Sequence, residues 1–254
     1  MPRAARRLAL LALVSCTSLA ACTRAPSGLP PGVTVEDLPD GESWDAELRI
    51  SNEGRPSLAL AAPYMARFQR PDTAYVYLGP PPGTPDSLQS RISVRVFNGD
   101  GQPSASISSR QAWYYEREGR LVADGGVVAE TFGDGSARIE SGRLRYTDDG
   151  AFSATGGADV DLRGDPSARI RARSVSGELG GNRYTATGRV RVEAGSGRSL
   201  AAGRVTWDGS RFRAPGAFRF VGPGERVQGV GLVANADFSR YSFSRARGEV
   251  EVQE

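Results

Sequence analysis

Apolar and polar residues alternate through most of this chain, and a short motif, Ala-x-Gly, breaks the alternation at nearly constant intervals. Within Ser136 to Leu162 the apolar members are Ala137 and Ile139, Leu144 and Tyr146, Phe152 and Ala154, then Ala158, Val160 and Leu162. A period of two places one set of side chains on one face of an extended strand, the pattern of a half-buried sheet. The motif falls at Ala123/Gly125, Ala154/Gly156, Ala186/Gly188, Ala214/Gly216 and Ala246/Gly248, so its glycines are 31, 32, 28 and 32 residues apart. Such regularity restricts the fold to copies of one supersecondary unit, stacked or laid side by side.

Between the alternating runs stand Thr147-Asp148-Asp149-Gly150 and the pair Gly156-Gly157, residues that enter turn conformations at little cost. Each unit therefore reads as four short antiparallel strands, and about five to six such units fill the chain from Trp44 onward. Trp44 to Ile50 gives a strand. Ser57 to Ala61, then Tyr64, Ala66 and Phe68, give two more. Gly79-Pro80-Pro81-Pro82-Gly83-Thr84-Pro85 cannot belong to a ladder, because its prolines lack donors, and it reads as an exposed loop rather than a polyproline ligand. Asn98-Gly99-Asp100-Gly101 is a hairpin signal; as a calcium loop it lacks further acidic ligands. No segment after the leader carries helical spacing.

Composition excludes several chemistries. The chain has no histidine, and its 32 basic residues are all arginine. Histidine relays, histidine metal sites, Schiff-base lysines and the phosphate-binding lysine of a P-loop are thereby ruled out. Paired carboxylates occur at Asp148-Asp149, Asp159/Asp161 and Glu249/Glu251, in turns or on outward strand positions, so no catalytic constellation is read. Arg169, Arg171 and Arg173, followed by Arg189 and Arg191, alternate on the polar face. They read as solvated arginines balanced by acidic neighbours, with a phosphate-binding row as the alternative.

The amino terminus is basic from Arg3 to Arg7 and apolar from Leu8 to Leu19, which is the form of a secretory signal and too short for a membrane span. Leu19-Ala20-Ala21-Cys22 resembles a bacterial lipobox. That resemblance implies removal of residues 1–21 and acylation of Cys22, which would hold the chain to a bilayer through a flexible linker, residues 22–43. Cys16 would leave with the signal, so no thiol would remain for a disulfide, metal or redox cycle. Without Arg3, Arg6 and Arg7 the formal charge falls from +3 to zero. Nucleic acid is not indicated as a partner.

The ordered set of Leu121 to Val128, Tyr184 to Val192, Trp113-Tyr114-Tyr115, Val205-Thr206-Trp207 and the ending Arg247 to Val252, behind an export signal, resembles the LptC family of OstA-like periplasmic components of lipopolysaccharide export. The resemblance runs from about Trp44 to the end and implies that residues 44–254 form an open, twisted antiparallel β-jellyroll. It implies a non-enzymatic protein without cofactors or metal. Its apolar groove would accept the lipid A acyl chains of lipopolysaccharide from an inner-membrane LptB-LptF-LptG-like ABC transporter. It would then pass them to an LptA-like periplasmic bridge protein by edge-to-edge strand pairing. A chain of about twelve carbons crossing water bare would cost roughly 10 kcal/mol, at about 0.8 kcal/mol per methylene.

The candidate groove residues are Ile139, Tyr146, Phe152, Tyr184, Val205, Trp207, Phe212, Phe218, Phe220 and Tyr241. The candidate docking edge is Gly248, Val250 and Val252. The same inward set also suits a closed core. Family likeness favours the inner membrane as the anchored side, whereas Thr23 after the cysteine points to the outer membrane by the enterobacterial sorting rule. A polymerising β-solenoid scaffold of the envelope is the competing architecture, since thirty-residue units also suit stacked coils.

Overall fold

The computed structural model describes residues 37–85, 91–133, 136–164 and 167–250. The signal (1–21), Cys22 and most of the expected linker lie outside the described residues. Sixteen strands follow: β1 (Gly41–Asn52), β2 (Arg55–Gln69), β3 (Ala74–Gly79), β4 (Ile92–Phe97), β5 (Pro103–Ser109), β6 (Gln111–Tyr115), β7 (Arg120–Thr131), β8 (Ala137–Thr147), β9 (Ala151–Leu162), β10 (Ala168–Ala172), β11 (Ser174–Glu178), β12 (Tyr184–Ala194), β13 (Ser199–Trp207), β14 (Arg211–Gly222), β15 (Glu225–Asn235) and β16 (Tyr241–Val250). Apart from the 3-10 turn Glu116–Glu118, residues 41–250 are, where described, strand and connection. The first strand begins at Gly41, within a compact unit that starts at Pro39.

All pairings are antiparallel, and the short strands share their neighbours. β10 and β11 are one strand interrupted at Arg173, each half lying between β9 and β12. β5 and β6 are interrupted in the same way at Arg110, against the two halves of β7. The result is an open meander whose outer members, β1 and β16, are hydrogen-bonded on one side only among the described residues. A stacked solenoid needs parallel coils, so that architecture is overturned; the fold is the open antiparallel β-jellyroll.

The long strands bend halfway, and the register shows how. Asp124 pairs with Arg143 and Val127 with Ser141, so β7 spends one residue more than β8 at the bend. The same imbalance recurs at Ser141/Arg143 against β9, at Thr187/Val190 in β12 and at Ala214/Ala217 in β14. These are β-bulges, which bend a strand and sharpen its twist. Gly125, Gly156 and Gly188 sit in them at φ of +85°, +80° and +79°, conformations that a Cβ disfavours. Gly156-Gly157 therefore lies inside β9, contrary to the expectation of a turn between two strands. Thr147-Asp148-Asp149-Gly150 is a true turn, with the Asp149 carboxylate accepting from Thr147 Oγ1 and from the Ala151 amide. A unit is thus two bent strands, not four short ones.

Two copies depart. Gly216 has ordinary φ and open space around a Cβ, and Gly248 pairs with Val227 well past the bend. β2 is also continuous from Arg55 to Gln69, turned at Pro63, where two strands were expected. Beyond Pro63 the strand changes what it packs against: Tyr64 lies opposite Gly79 and Ala66 opposite Tyr77, both buried but apart from the main apolar core, while Met65 lies opposite core Leu78 and is partly buried against it.

The bends fold the sheet over itself. One layer holds β3, β6, β11 and the adjoining halves of the long strands; the other holds β4, β5, β10 and the remaining halves. Their inner faces share one apolar core that includes Leu60, Val94, Ile107, Leu121, Leu144, Val175, Val205 and Phe220. Hydrogen bonds run along each layer, and side chains alone fill the space between.

Gly188→Ala meets both a positive φ and the Arg173 Cβ, 2.8 Å from the new methyl. It should lower unfolding stability by about 1–3 kcal/mol. Gly216→Ala, from the same sequence motif, should stay within about 0.5 kcal/mol. Urea denaturation of the pair checks this, and equal losses would refute the assignment of the bends.

Candidate functional site: the space between the layers

Register aligns most of the candidate groove residues in one transverse row. Tyr114 pairs with Leu121, Leu121 with Tyr146, Tyr146 with Phe152, Phe152 with Gly177, Gly177 with Tyr184, Tyr184 with Trp207, and Trp207 with Phe212. Phe212 faces Ala234, whose other partner is Tyr241. This row lines the rim of the first layer, away from the bends. Ile139 and Phe220 belong to the other layer, in the row Ala129, Ile139, Val160, Ile170, Val192, Leu200, Phe220, Val227. Val205 stands nearer the bend opposite Ala186, and Phe218 opposite Ala202.

All ten candidates point inward. Ile139, Tyr146, Phe152, Tyr184, Val205, Phe212, Phe218 and Phe220 are buried, while Trp207 and Tyr241 are partly buried against the same core. Small residues alternate with them, Ala123, Ala154, Ala158, Ala186 and Ala214 among others. Gly177 has a local reason: a Cβ there would fall 3.1 Å from Tyr184 and 3.3 Å from Phe152. Its absence lets those rings meet edge to face across the strand, centroids 6.0 Å apart.

At the β16 end the two layers touch through aromatic rings. Phe238, in the turn before β16, is fully buried at φ +56°. It stacks on Phe212 of one layer at 5.4 Å and meets Phe220 of the other edge-on at 5.8 Å. Tyr241 lies 4.8 Å from Phe220, and its hydroxyl donates to the Glu225 carboxylate at 2.5 Å, tying rim to opposite layer. Sequence reading missed Phe238. The signal was its setting, Asn235 to Ser239, where the side chains of Asn235 and Asp237 accept from the Arg240 and Ser239 amides and fix a tight turn.

The rim is polar only at its lip. Burial, then Asp148 and Glu116, pushes the Tyr114 hydroxyl up to about 12, and burial, then Asp148 and Asp149, does the same to Tyr146. Burial also raises the Asp148 carboxyl, against the hydrogen bond from Tyr114 that lowers it.

Several other carboxylates are paired with arginines. Asp159 and Asp161 hold Arg169, Arg171 reaches Asp159 and Glu193, and Arg138 bridges Glu130 and Glu140. Arg169 and Arg171 are thus the balanced arginines expected. The side chain of Glu249, all of Glu251 and the docking-edge residue Val252 lie outside the described residues, as does the side chain of Val250; Gly248 and Val250 belong to the backbone of β16. Among the described residues no group of histidine, cysteine and acidic residues suits a metal ion.

No family model and no curated protein matches the chain. Among solved structures it is similar to LptH of Pseudomonas aeruginosa, described as the LptA-homologous periplasmic component of the conserved lipopolysaccharide transport device. The two share 14% identity at a TM-score of 0.39, over 59% of this chain and 95% of LptH. A likeness of that size says nothing of function.

The tyrosines generate a pH dependence. A tyrosine whose folded pKa lies above its unfolded value stabilises fully below pH ~10 and loses that contribution as pH rises through ~12, because the unfolded chain releases its proton first. Between those limits unfolding stability should fall, and Tyr146→Phe should flatten the slope by about 1.4 kcal/mol per pH unit. Urea titrations at stepped alkaline pH measure it; an unchanged slope would place Tyr146 in water.

Proposed function

We propose that this chain is a periplasmic, non-enzymatic lipid carrier that shields lipid A acyl chains between its layers and passes them on through its open edges. It would serve in lipopolysaccharide export beside an LptB-LptF-LptG-like transporter and an LptA-like bridge, tethered to a membrane through Cys22. The observation that carries this reading is the apolar core that runs unbroken between the layers from β2 to β16 and ends, among the described residues, at edge strands bonded on one side. Parting the layers breaks side-chain contacts and leaves the backbone ladders whole. Acyl methylenes can replace those contacts at little net cost, since both are apolar. The alternation of alanine with aromatic residues supplies low-volume positions along such a path.

Photo-crosslinking residues placed at Phe218 and Trp207 should give lipopolysaccharide adducts in cells, while outward Arg191 should give none. A folded, membrane-bound protein without adducts from the inward positions would overturn the carrier reading.

Gly248 and Val250 belong to β16, whose outer backbone edge has no strand beside it among the described residues, which supports docking there by strand addition. Deleting Arg247 to Glu254 should abolish capture of an LptA-like partner while leaving the far-ultraviolet circular dichroism that of a β protein. Undiminished capture would assign docking to the β1 edge.

A further inference from the structure

The outer face of the second layer, at the β16 end, holds a feature that the space between the layers does not use. Arg219 and Val221 of β14, Arg226, Gln228 and Val230 of β15, and Arg245 and Arg247 of β16 surround an open depression of about 990 Å³. Register places Arg219, Gln228 and Arg247 in one row, with Val221 beside Arg226 and Val230 beside Arg245. Nearer the middle of the same outer face, Arg138, Arg169 and Arg171 each meet carboxylates. Among the described residues Arg219, Arg226, Arg245 and Arg247 pair with no carboxylate; Arg145 and Arg191 pair with none either, but only these four gather around one depression. Glu249 stands opposite Arg226 in the register, and the cluster keeps its positive excess with that residue counted.

Unbalanced guanidinium groups repel one another, so a sheet gains nothing in stability from gathering them. Guanidinium forks suit phosphate oxygens, which they bind in pairs of parallel hydrogen bonds. The apolar members add a second requirement. Val221 is 37% exposed and Val230 is 45% exposed, among the few large apolar side chains left in solvent. A free anion has no use for them, whereas a molecule with a charged head and an apolar body satisfies both. We propose that this depression binds the phosphorylated head of a single anionic amphiphile, with its phosphate on Arg219, Arg226, Arg245 and Arg247 and its apolar part over Val221 and Val230. The site lies on the opposite face of the sheet from the carrier space, so it stands whether or not that space carries lipid.

The test is calorimetric titration of the full chain, held in phosphatidylcholine nanodiscs, with dihexanoyl phosphatidic acid below its micelle concentration; empty nanodiscs give the blank. Saturable binding is expected, weakened about tenfold or more in Arg219→Gln/Arg247→Gln and weakened by added salt. Val230→Ser should weaken it too, and Arg191→Gln, elsewhere on the outer face, should leave it unchanged. Far-ultraviolet circular dichroism confirms that each variant folds. Equal affinity for inorganic phosphate would reduce the patch to a plain anion site and overturn the proposal. So would unchanged binding in Arg219→Gln/Arg247→Gln, equal loss in Arg191→Gln, or association only with anionic vesicles. Loss of interior crosslinks with this binding intact would overturn the carrier reading alone.

Discussion

Every long strand of this protein must pass through a bend without losing its place in the ladder, and the rest of the structure depends on how that is done. In β7, β9, β12 and β14 the bend takes an extra residue, whereas the neighbouring β8, β13 and β15 pass it with one residue fewer. An antiparallel sheet can fold in two only if the surplus is absorbed strand by strand, and in β7, β9 and β12 left-handed glycines absorb it. Gly125 and Gly188 serve a second purpose, because Arg110 and Arg173, the breaks between β5 and β6 and between β10 and β11, lie against them with no space for a methyl. Backbone geometry and side-chain packing thus demand glycine at the same points. The 31- or 32-residue spacing follows, since it is the length of two bent strands and their turns.

That origin explains what the sequence revealed and what it concealed. The alternation identified an all-β chain and a correct inward set, because burial in a two-layer sheet is decided by parity. It also contained the bend as a jump in phase. Inward residues step by four across the surplus strands, as from Ala154 to Ala158 and Ala214 to Phe218, and by three across the others, as from Ser141 to Leu144 and Ala202 to Val205. A glycine at such a jump looks the same whether the chain reverses or continues, since both need φ > 0. Gly156-Gly157 was therefore legible as a break and illegible as a bulge. Pro63 misleads too, because contact with the main core passes from Ala62 to Met65, another step of three. Tyr64 is buried apart from that core, against the rings of Trp44 and Tyr77, in an aromatic row that period alone would have placed in the core.

Phe238 illustrates a different limit. Its burial comes from long-range geometry: a turn between the last strands swings back between layers that meet only when the sheet is folded. Alternation ends where strands end, so it carries no information about a turn residue that returns to the core. The residues that close the β16 end, Phe238 and the Tyr241–Glu225 hydrogen bond, belong to this class.

The division of labour between the two faces follows from where hydrogen bonds run. Backbone bonds hold each layer laterally, so the interior is free to be apolar and its contacts non-directional, whereas the exterior needs balanced charge to stay soluble. Where the outer face balances its charge, as at Glu130, Arg138 and Glu140, the ion pairs are exposed and contribute little to stability, about 0–1 kcal/mol each. They keep the surface neutral. Arg219, Arg226, Arg245 and Arg247 are instead gathered around one depression without that balance, on the outer face of the end where Phe238 joins Phe212 of one layer to Phe220 of the other. The inner face there is held by apolar ring contacts, which ask nothing of the charge outside, so the outer face is free to carry a positive excess.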